Sequence, residues 1–521
     1  MTGAPLNVLL LTVDAWRADR LSLYGYGRPT TPVLDRFAAN ATVCERAFSL
    51  GSFTQVACIQ LFTSSRPMSY GGYDRGAAGR PDTLFKRFHD AGYRTWGLST
   101  IHWVSPYYGY TEGLDEEIGV FHLNTLVGMA ITNLRDTMRV YHEEKISAED
   151  MLSTAVPVIR RLFGNVDDYC DRARENGPAY AADFPDSKVV HDGYDEGKVK
   201  RVVARHREAF EADALAYVHE HLDPFPDANG WMVADWYYSR TPGKLIREAA
   251  FRLSNRLLGF VDPRRAALRA NRIRLAVDAH AIARRVTRQL HNRDPDRPFF
   301  IWAHFKDTHR PYVSGPGRQW YKHTPGYLEA LGYARDLDPA AVFRTESPRT
   351  EEQWATASAL YDAALRSTDE AMGRILDAVE GLGLGDNTVV CICGDHGEEI
   401  GEHGDYGHRC MPYEHNVRIP MLFRRGREAG KRIDSLVTAL DWAPTIAALA
   451  GVDPAPGWEG RPVTSDDAAR RDHVLLETFC RGDCIFEHRP LYMSVRTRRH
   501  KYIWKEYRDP FDTFSPDGHE L

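Results

Sequence analysis

The sequence predicts an α/β fold: a central, mostly parallel sheet flanked by helices, with a helical insertion and a small antiparallel C-terminal subdomain. Three features lead there. Charge-free apolar runs from Asn7 to Val13, Phe299 to Phe305 and Val389 to Gly394 each stop abruptly at a charged residue: Asp14, Lys306 and Asp395. Buried parallel strands end this way when their carboxyl ends deliver polar groups to a crevice. Between the first two runs a helix-then-strand punctuation recurs, and from about Leu123 to Asn292 the pattern changes to charged, aromatic-spaced helices with polar connections.

Composition sets the bounds. With 521 residues, 43% hydrophobic and 26% charged, the chain can bury a large core. A net charge of −6 offers no basic footprint for nucleic acid and no polybasic membrane patch. No apolar run is long enough to span a bilayer. The first run has no cationic lead and closes on a carboxylate, so it reads as a strand rather than a signal peptide, and a soluble, cytoplasmic protein is expected. Eight cysteines are too few for a disulfide scaffold. Cys391 and Cys393 read as small core residues within a strand, and Cys480 with Cys484 is a close pair lacking a second pair nearby.

Taken in order, the first strand ends in Asp14, followed by Arg17, Asp19 and Arg20 on a turn. Thr30-Thr31-Pro32 has the cap and first-turn proline of a helix start. From Gly51 to Ser64 a hydroxyl-rich turn runs into an apolar helical stretch. There Ser52 or Thr54 is either an ordinary cap or a hydroxyl at a helix amino terminus, where the helix dipole favours anions and ionisation. Thr83 to Leu98 reads as helix, glycine stop and strand. The insertion is the expected determinant of substrate choice; Trp231, Tyr237 and Tyr238 either line it or pack it. After Phe305 come Lys306, Asp307, Thr308, His309 and Arg310, a polar cluster at a strand end. Tyr361 to Val379 is a strongly periodic helix leading through glycines to the run that ends in Asp395 and His396, with His408 beyond. Arg418 to Phe423 is another short strand, and alternating runs around His473 and Tyr492 predict the antiparallel subdomain. The expected division is residues 1–122 and 293–450 for the α/β core, 123–292 for the insertion as a substrate cap, and 451–521 for the subdomain.

These segments resemble, in order, the sulfatases of the alkaline phosphatase superfamily. Thr12 to Arg20 resembles their opening strand and turn, Ser52 to Ser64 their nucleophile turn, Asp307 to Tyr312 their DxHxPY segment, Tyr361 to Gly404 their helix, strand and DHGE signature, and Ala439 to Thr445 the lead into their C-terminal part. The resemblance implies an alkaline-phosphatase-like sheet. It also implies a metal-dependent ester hydrolase or transferase. Sulfatases place a Cys or Ser, converted to formylglycine, ahead of Pro-Ser-Arg. Here Thr54 stands at that position, with Val56, Ala57 and Cys58 in place of the other three. Threonine is the nucleophile of phosphodiesterase-like members. Ala15 stands where many sulfatases have a second metal-binding Asp, and His408 where the family often has Lys.

The expected metal ligands are Asp14, Asp395, His396 and the Thr54 oxygen. This mix of oxygen and imidazole favours Zn or Mn, with Ca or Mg remaining open. Asp307, His309 and His408 either form a second metal set or bind substrate oxygens and protonate the leaving group. The second alternative is adopted, with Thr54, His309 and His408 catalytic and Lys306, Arg310 and Asp307 substrate-binding. The expected substrate is a small-molecule or glycan-linked anionic ester, with phosphate or phosphonate ranked ahead of sulfate. A sulfate-ester hydrolase without formylglycine and a non-catalytic metal-binding scaffold are the alternatives. Homo-oligomerisation is left open.

Overall fold

The computed structural model describes residues 5–184, 195–223, 231–237, 242–261, 277–310, 312, 351–404, 406–408, 411–466, 470–479, 491–505 and 519–520. Its strands in chain order are β1 (Asn7–Val13), β2 (Thr42–Phe48), β3 (Arg94–Ser99), β4 (Glu116–Gly119), β5 (Phe299–Phe305), β6 (Thr388–Gly394), β7 (Glu399–Ile400), β8 (Tyr406–Gly407), β9 (Arg418–Ile419), β10 (Met421–Arg425), β11 (Lys431–Thr438), β12 (His473–Phe479), β13 (Leu491–Thr497), β14 (Lys501–Lys505) and β15 (His519–Glu520).

The main sheet runs β11-β2-β10-β6-β1-β5-β3-β4, with β9 also paired to β2. Its centre is parallel: β1 pairs with both β5 and β6, and Val13 lies beside Phe305 on one side and Gly394 on the other. The residues that follow, Asp14, Lys306 and Asp395, therefore leave the sheet at one edge. Backbone bonds hold that edge closed, Asp14 N–H donating to Phe305 O and Asp395 N–H to Val13 O. β10 is antiparallel to both β6 and β2. The single strand expected at Arg418 to Phe423 is in fact two, because Pro420 has no N–H to donate to a ladder.

Both sheet faces are covered, as charge-free strands require. Alternation along β1 sends Leu9, Leu11 and Val13 into one apolar cluster and Val8 and Leu10 into another. The first cluster includes Ile282 and Val286 of helix Ala279–His291 and Leu365 and Ile375 of helix Glu351–Gly381. The second includes Ile59 and Phe62 of helix Thr54–Thr63, Phe85 of helix Leu84–Asp90 and Ile446 of helix Trp442–Ala450. Thr83 caps the second of these helices, accepting a bond from Lys86 N–H.

Helices between β4 and β5 share a core of their own, built from Leu126, Ile159, Phe163, Val203 and Phe210 among others. Trp231 is spent on this packing, its indole N–H donating to Tyr217 Oη at 3.0 Å. The Tyr237 side chain, Tyr238, Cys480 and Cys484 lie outside the described residues. Near the C-terminus β12, β13, β14 and β15 form the antiparallel sheet. Among the described residues no helix is long and apolar enough to cross a membrane.

Candidate active site

Four of the expected residues meet at the carboxyl edge of β1 and β6. His396 Nε2 lies 3.5 Å from Asp14 Oδ1, 3.6 Å from Asp395 Oδ2 and 3.0 Å from Thr54 Oγ1. Thr54 is the first residue of its helix, which places the hydroxyl at the positive end of the helix dipole. The turn after β1 is held tightly. Ala15 sits in the left-handed region (φ 54°), and its N–H reaches Asp395 Oδ1 at 3.0 Å. Tyr361 Oη donates to Ala15 O and accepts from Arg17 N–H.

The tautomer of His396 follows from its second nitrogen. Nδ1 lies 2.7 Å from Gly397 O, a pure acceptor, so Nδ1 carries the proton. Nε2 then faces Thr54 and the carboxylates as a bare lone pair. Burial lowers the His396 pKa to about 3, the neighbouring His408 ring adding to the effect, so the neutral ring is the resting form.

A buried group that the sequence reading missed stands beside this set. His304, the second-last residue of β5, has Nε2 3.8 Å from Asp14 Oδ2. Its other nitrogen lies 2.8 Å from Thr12 Oγ1. Asp14 Oδ1 and Oδ2, Asp395 Oδ2 and His304 Nε2 are all buried without a hydrogen bond. Asp14, His304 and Asp395 can each bring one ligand atom within 4.8 Å of the others. Orphaned lone pairs gathered in this way are costly unless a cation satisfies them, so the donor set fits a divalent metal. Replacing His304 by Gln is expected to weaken retention of the metal about 10–100-fold in competition with a chelator. Unchanged retention would exclude His304 from the set.

The electrostatics agree. Asp395 is pushed well above the ordinary carboxylate range, first by burial and then by the charge of Asp14. Burial would raise Asp14 as well, but His309, His304, Lys306 and His396 facing it more than offset this, and it is held well below. Two carboxylates this close divide one proton's worth of repulsion between them.

His309 and His408 form the opposite wall, their rings 4.9 Å apart, with His408 4.3 Å from His396. His309 Nδ1 donates to Arg310 O, and burial brings its pKa down to about 3. His408 is held differently. Its Nδ1 meets Glu398 Oε2 at 2.7 Å, and Tyr312 Oη donates to Glu398 Oε1 at 3.1 Å. A carboxylate behind an imidazole fixes the orientation of the ring, which suits a proton carrier. Lys306 faces Asp14 and His309 closely enough to act on both charges, and Asp307 is buried. Arg310 Nη1 donates to Tyr406 O at 2.8 Å, and the guanidinium lies 5.0 Å from the Tyr406 ring. His102 joins the cluster unforeseen: it is buried, its pKa is lowered to about 3 by burial and then by Lys306, and its Nε2 has no hydrogen bond.

The signals for these omissions were thin. A histidine inside an apolar run reads as core, and His304 was identifiable only from the register that sets it beside Thr12. Glu398 stands within the DHGE segment but has no local pattern of its own; its partner His408 lies ten residues on, across the β7/β8 hairpin.

A family model described as Sulfatase matches residues 6–160 and 222–452. An endo-4-O-sulfatase of Bacteroides thetaiotaomicron is 32% identical over 166 residues, 31% of this chain and 30% of that protein. The chain spans well under half the length of the first curated relatives it matches, between 16% and 40%. A protein solved in complex with its substrate D-glucosamine-2-N,6-O-disulfate has a similar fold: TM-score 0.54 at 15% identity, over 96% of this chain and 88% of that one. The phosphonate monoester hydrolase of Agrobacterium radiobacter gives TM-score 0.51 at 16% identity, over 96% and 87%. At these identities the structural likeness bears on the fold.

Proposed function

The chain belongs to the sulfatase family, and from that premise we propose that it is a hydrolase of anionic esters, sulfate foremost, that uses Thr54 as its nucleophile. The carrying observation is the Thr54 hydroxyl, 3.0 Å from the bare Nε2 of a neutral His396 and beside two buried carboxylates. A divalent cation held by Asp14, Asp395, His396 and Thr54 Oγ1, with His304 beside them, would supply Lewis acidity and lower the pKa of the hydroxyl. The mixed oxygen and nitrogen donors suit Zn or Mn; Ca and Mg are the other candidates.

The residues divide the remaining work. The Nδ1–H of His396, held on Gly397 O, fixes the ring so that its Nε2 lone pair faces Thr54 Oγ1 and the cation's place. Lys306 and His102 face the carboxylate centre and are placed to bind the non-bridging oxygens of the ester. His408, backed by Glu398 and Tyr312, protonates the departing alcohol, and the reverse transfer activates the water that releases Thr54. His309 packs against His408 and positions it.

The ranking of phosphorus ahead of sulfur drawn from the sequence is not retained as the first reading, because the curated relatives are named for sulfatases. Phosphate or phosphonate stays as the second reading, favoured by threonine at position 54, the residue used by phosphodiesterase-like members of the superfamily. Initial rates of metal-loaded protein on matched aryl sulfate, phosphate, phosphodiester and phosphonate esters test both. Sulfate is expected to be turned over fastest. Preference for a phosphorus ester would install the second reading. No turnover, with cation bound at one equivalent or more, would point to a binding scaffold.

A further inference from the structure

Behind the loop that carries His396 lies a second group of metal-ligand type that the reaction does not use. Glu399, His403 and His415 can each offer one ligand atom within 4.8 Å of the others. We propose that these three residues form a separate binding site for a zinc-class divalent cation, a clip between the β7 end of the loop and the short helix Glu414–Val417.

The geometry is close to what such an ion needs. Zinc bound at about 2.0–2.1 Å in a tetrahedron places its ligand atoms roughly 3.3 Å apart. Glu399 Oε2 to His415 Nε2 is 3.5 Å, and Glu399 Oε1 to His403 Nδ1 is 3.7 Å. His415 is nine-tenths buried, yet its Nε2 has no hydrogen bond and points at the Glu399 carboxylate. An aimed, dry imidazole nitrogen is an unmet donor or acceptor that a metal would satisfy. The other two ligands are already set. Glu399 Oε1 accepts from the His403 backbone N–H at 2.8 Å, and the His403 ring lies flat on Tyr413, centroids 3.6 Å apart at 6°. The nearby Glu402 carboxylate is taken by Arg17 at 2.5 Å, which leaves the site as two imidazoles and one carboxylate. That set matches zinc better than calcium, and the partly exposed His403 gives the ion a way in.

The site shares its backbone with the catalytic loop. Gly397, next to His396, donates its N–H to Asn416 O at 2.7 Å, and a Cβ there would stand 1.8 Å from His415 O. A cation on His415 therefore stiffens the segment against which the His396 turn is built.

Zinc binding is tested in the Asp14→Asn, Asp395→Asn double background, which takes both carboxylates from the first site, by competition with a chromophoric chelator and by the visible bands of a cobalt substitute. One equivalent is expected, bound with tetrahedral cobalt bands and accompanied by a rise in melting temperature. His403→Ala, at a half-exposed position where folding is not at stake, should weaken it by at least about 100-fold. Glu399→Gln should do the same. Failure to bind zinc, or binding that survives both substitutions, would overturn the second site without touching the reading of the first.

Discussion

Thr54→Ala is expected to reduce kcat/KM on the best ester by about 10³-fold or more, the scale of losing a nucleophile whose surroundings are left in place. The protein should fold as before. Thr54 is the first residue of its helix and Phe53 caps that helix without a side-chain bond, so the hydroxyl contributes little to the helix itself. What disappears is the oxygen 3.0 Å from His396 Nε2. Thr54→Ser restores an oxygen at the same atom and should recover a large part of the rate. Burst kinetics with a chromogenic leaving group check the covalent step: a burst in the parent, absent in Thr54→Ala. An alanine variant within tenfold of the parent would remove Thr54 from the chemistry and leave water as the attacking group.

Asp395→Asn is expected to change sign with the metal. In the presence of cation the substituted protein should melt lower than the parent, because a ligand is lost. After chelation it should melt higher. The amide oxygen can keep the two backbone bonds from Ala15 and His396, while the repulsion with Asp14 is gone. The pH dependence follows from the raised pKa of Asp395. Above the ordinary carboxylate pKa the unfolded chain has released this proton and the folded apoprotein still holds it. The parent therefore loses stability relative to the variant as pH rises through that window, by at most about 1.4 kcal/mol per pH unit. Differential melts in chelator from pH 5 to pH 8 measure this. A gap between the two proteins that does not widen with pH would show that the carboxylates do not share the repulsion described.

The centre of the fold was legible because chemistry and geometry coincide there. A run without charge must be buried on both faces, and the first polar residue after it must emerge at an edge, which located Asp14, Lys306 and Asp395 without any alignment. The four residues expected at the metal do converge. What the sequence could not show is how side chains turn once they emerge. Arg310, adjacent in the chain to His309, turns to Tyr406. His304, hidden in an apolar strand, turns to Asp14. His102 arrives from the end of β3 through a loop whose path no periodicity encodes. The split at Pro420 was readable in principle, since a proline inside a strand pattern announces an interruption.

The strand order also sets a timetable for the nascent chain. Thr12 and His304, partners across β1 and β5, are 292 residues apart, and Ala15 waits for Asp395 across 380. At roughly 5–20 residues per second the wait for β5 alone is about 15–60 s, during which the first strand has emerged from the ribosome with no neighbour to pair with. The helices between β4 and β5, whose contacts are mostly among themselves, can collapse in the interval. That helical core thus has time to form before the central strands meet, and a cell making this protein must shield an unpaired, charge-free β1 until translation has passed β5.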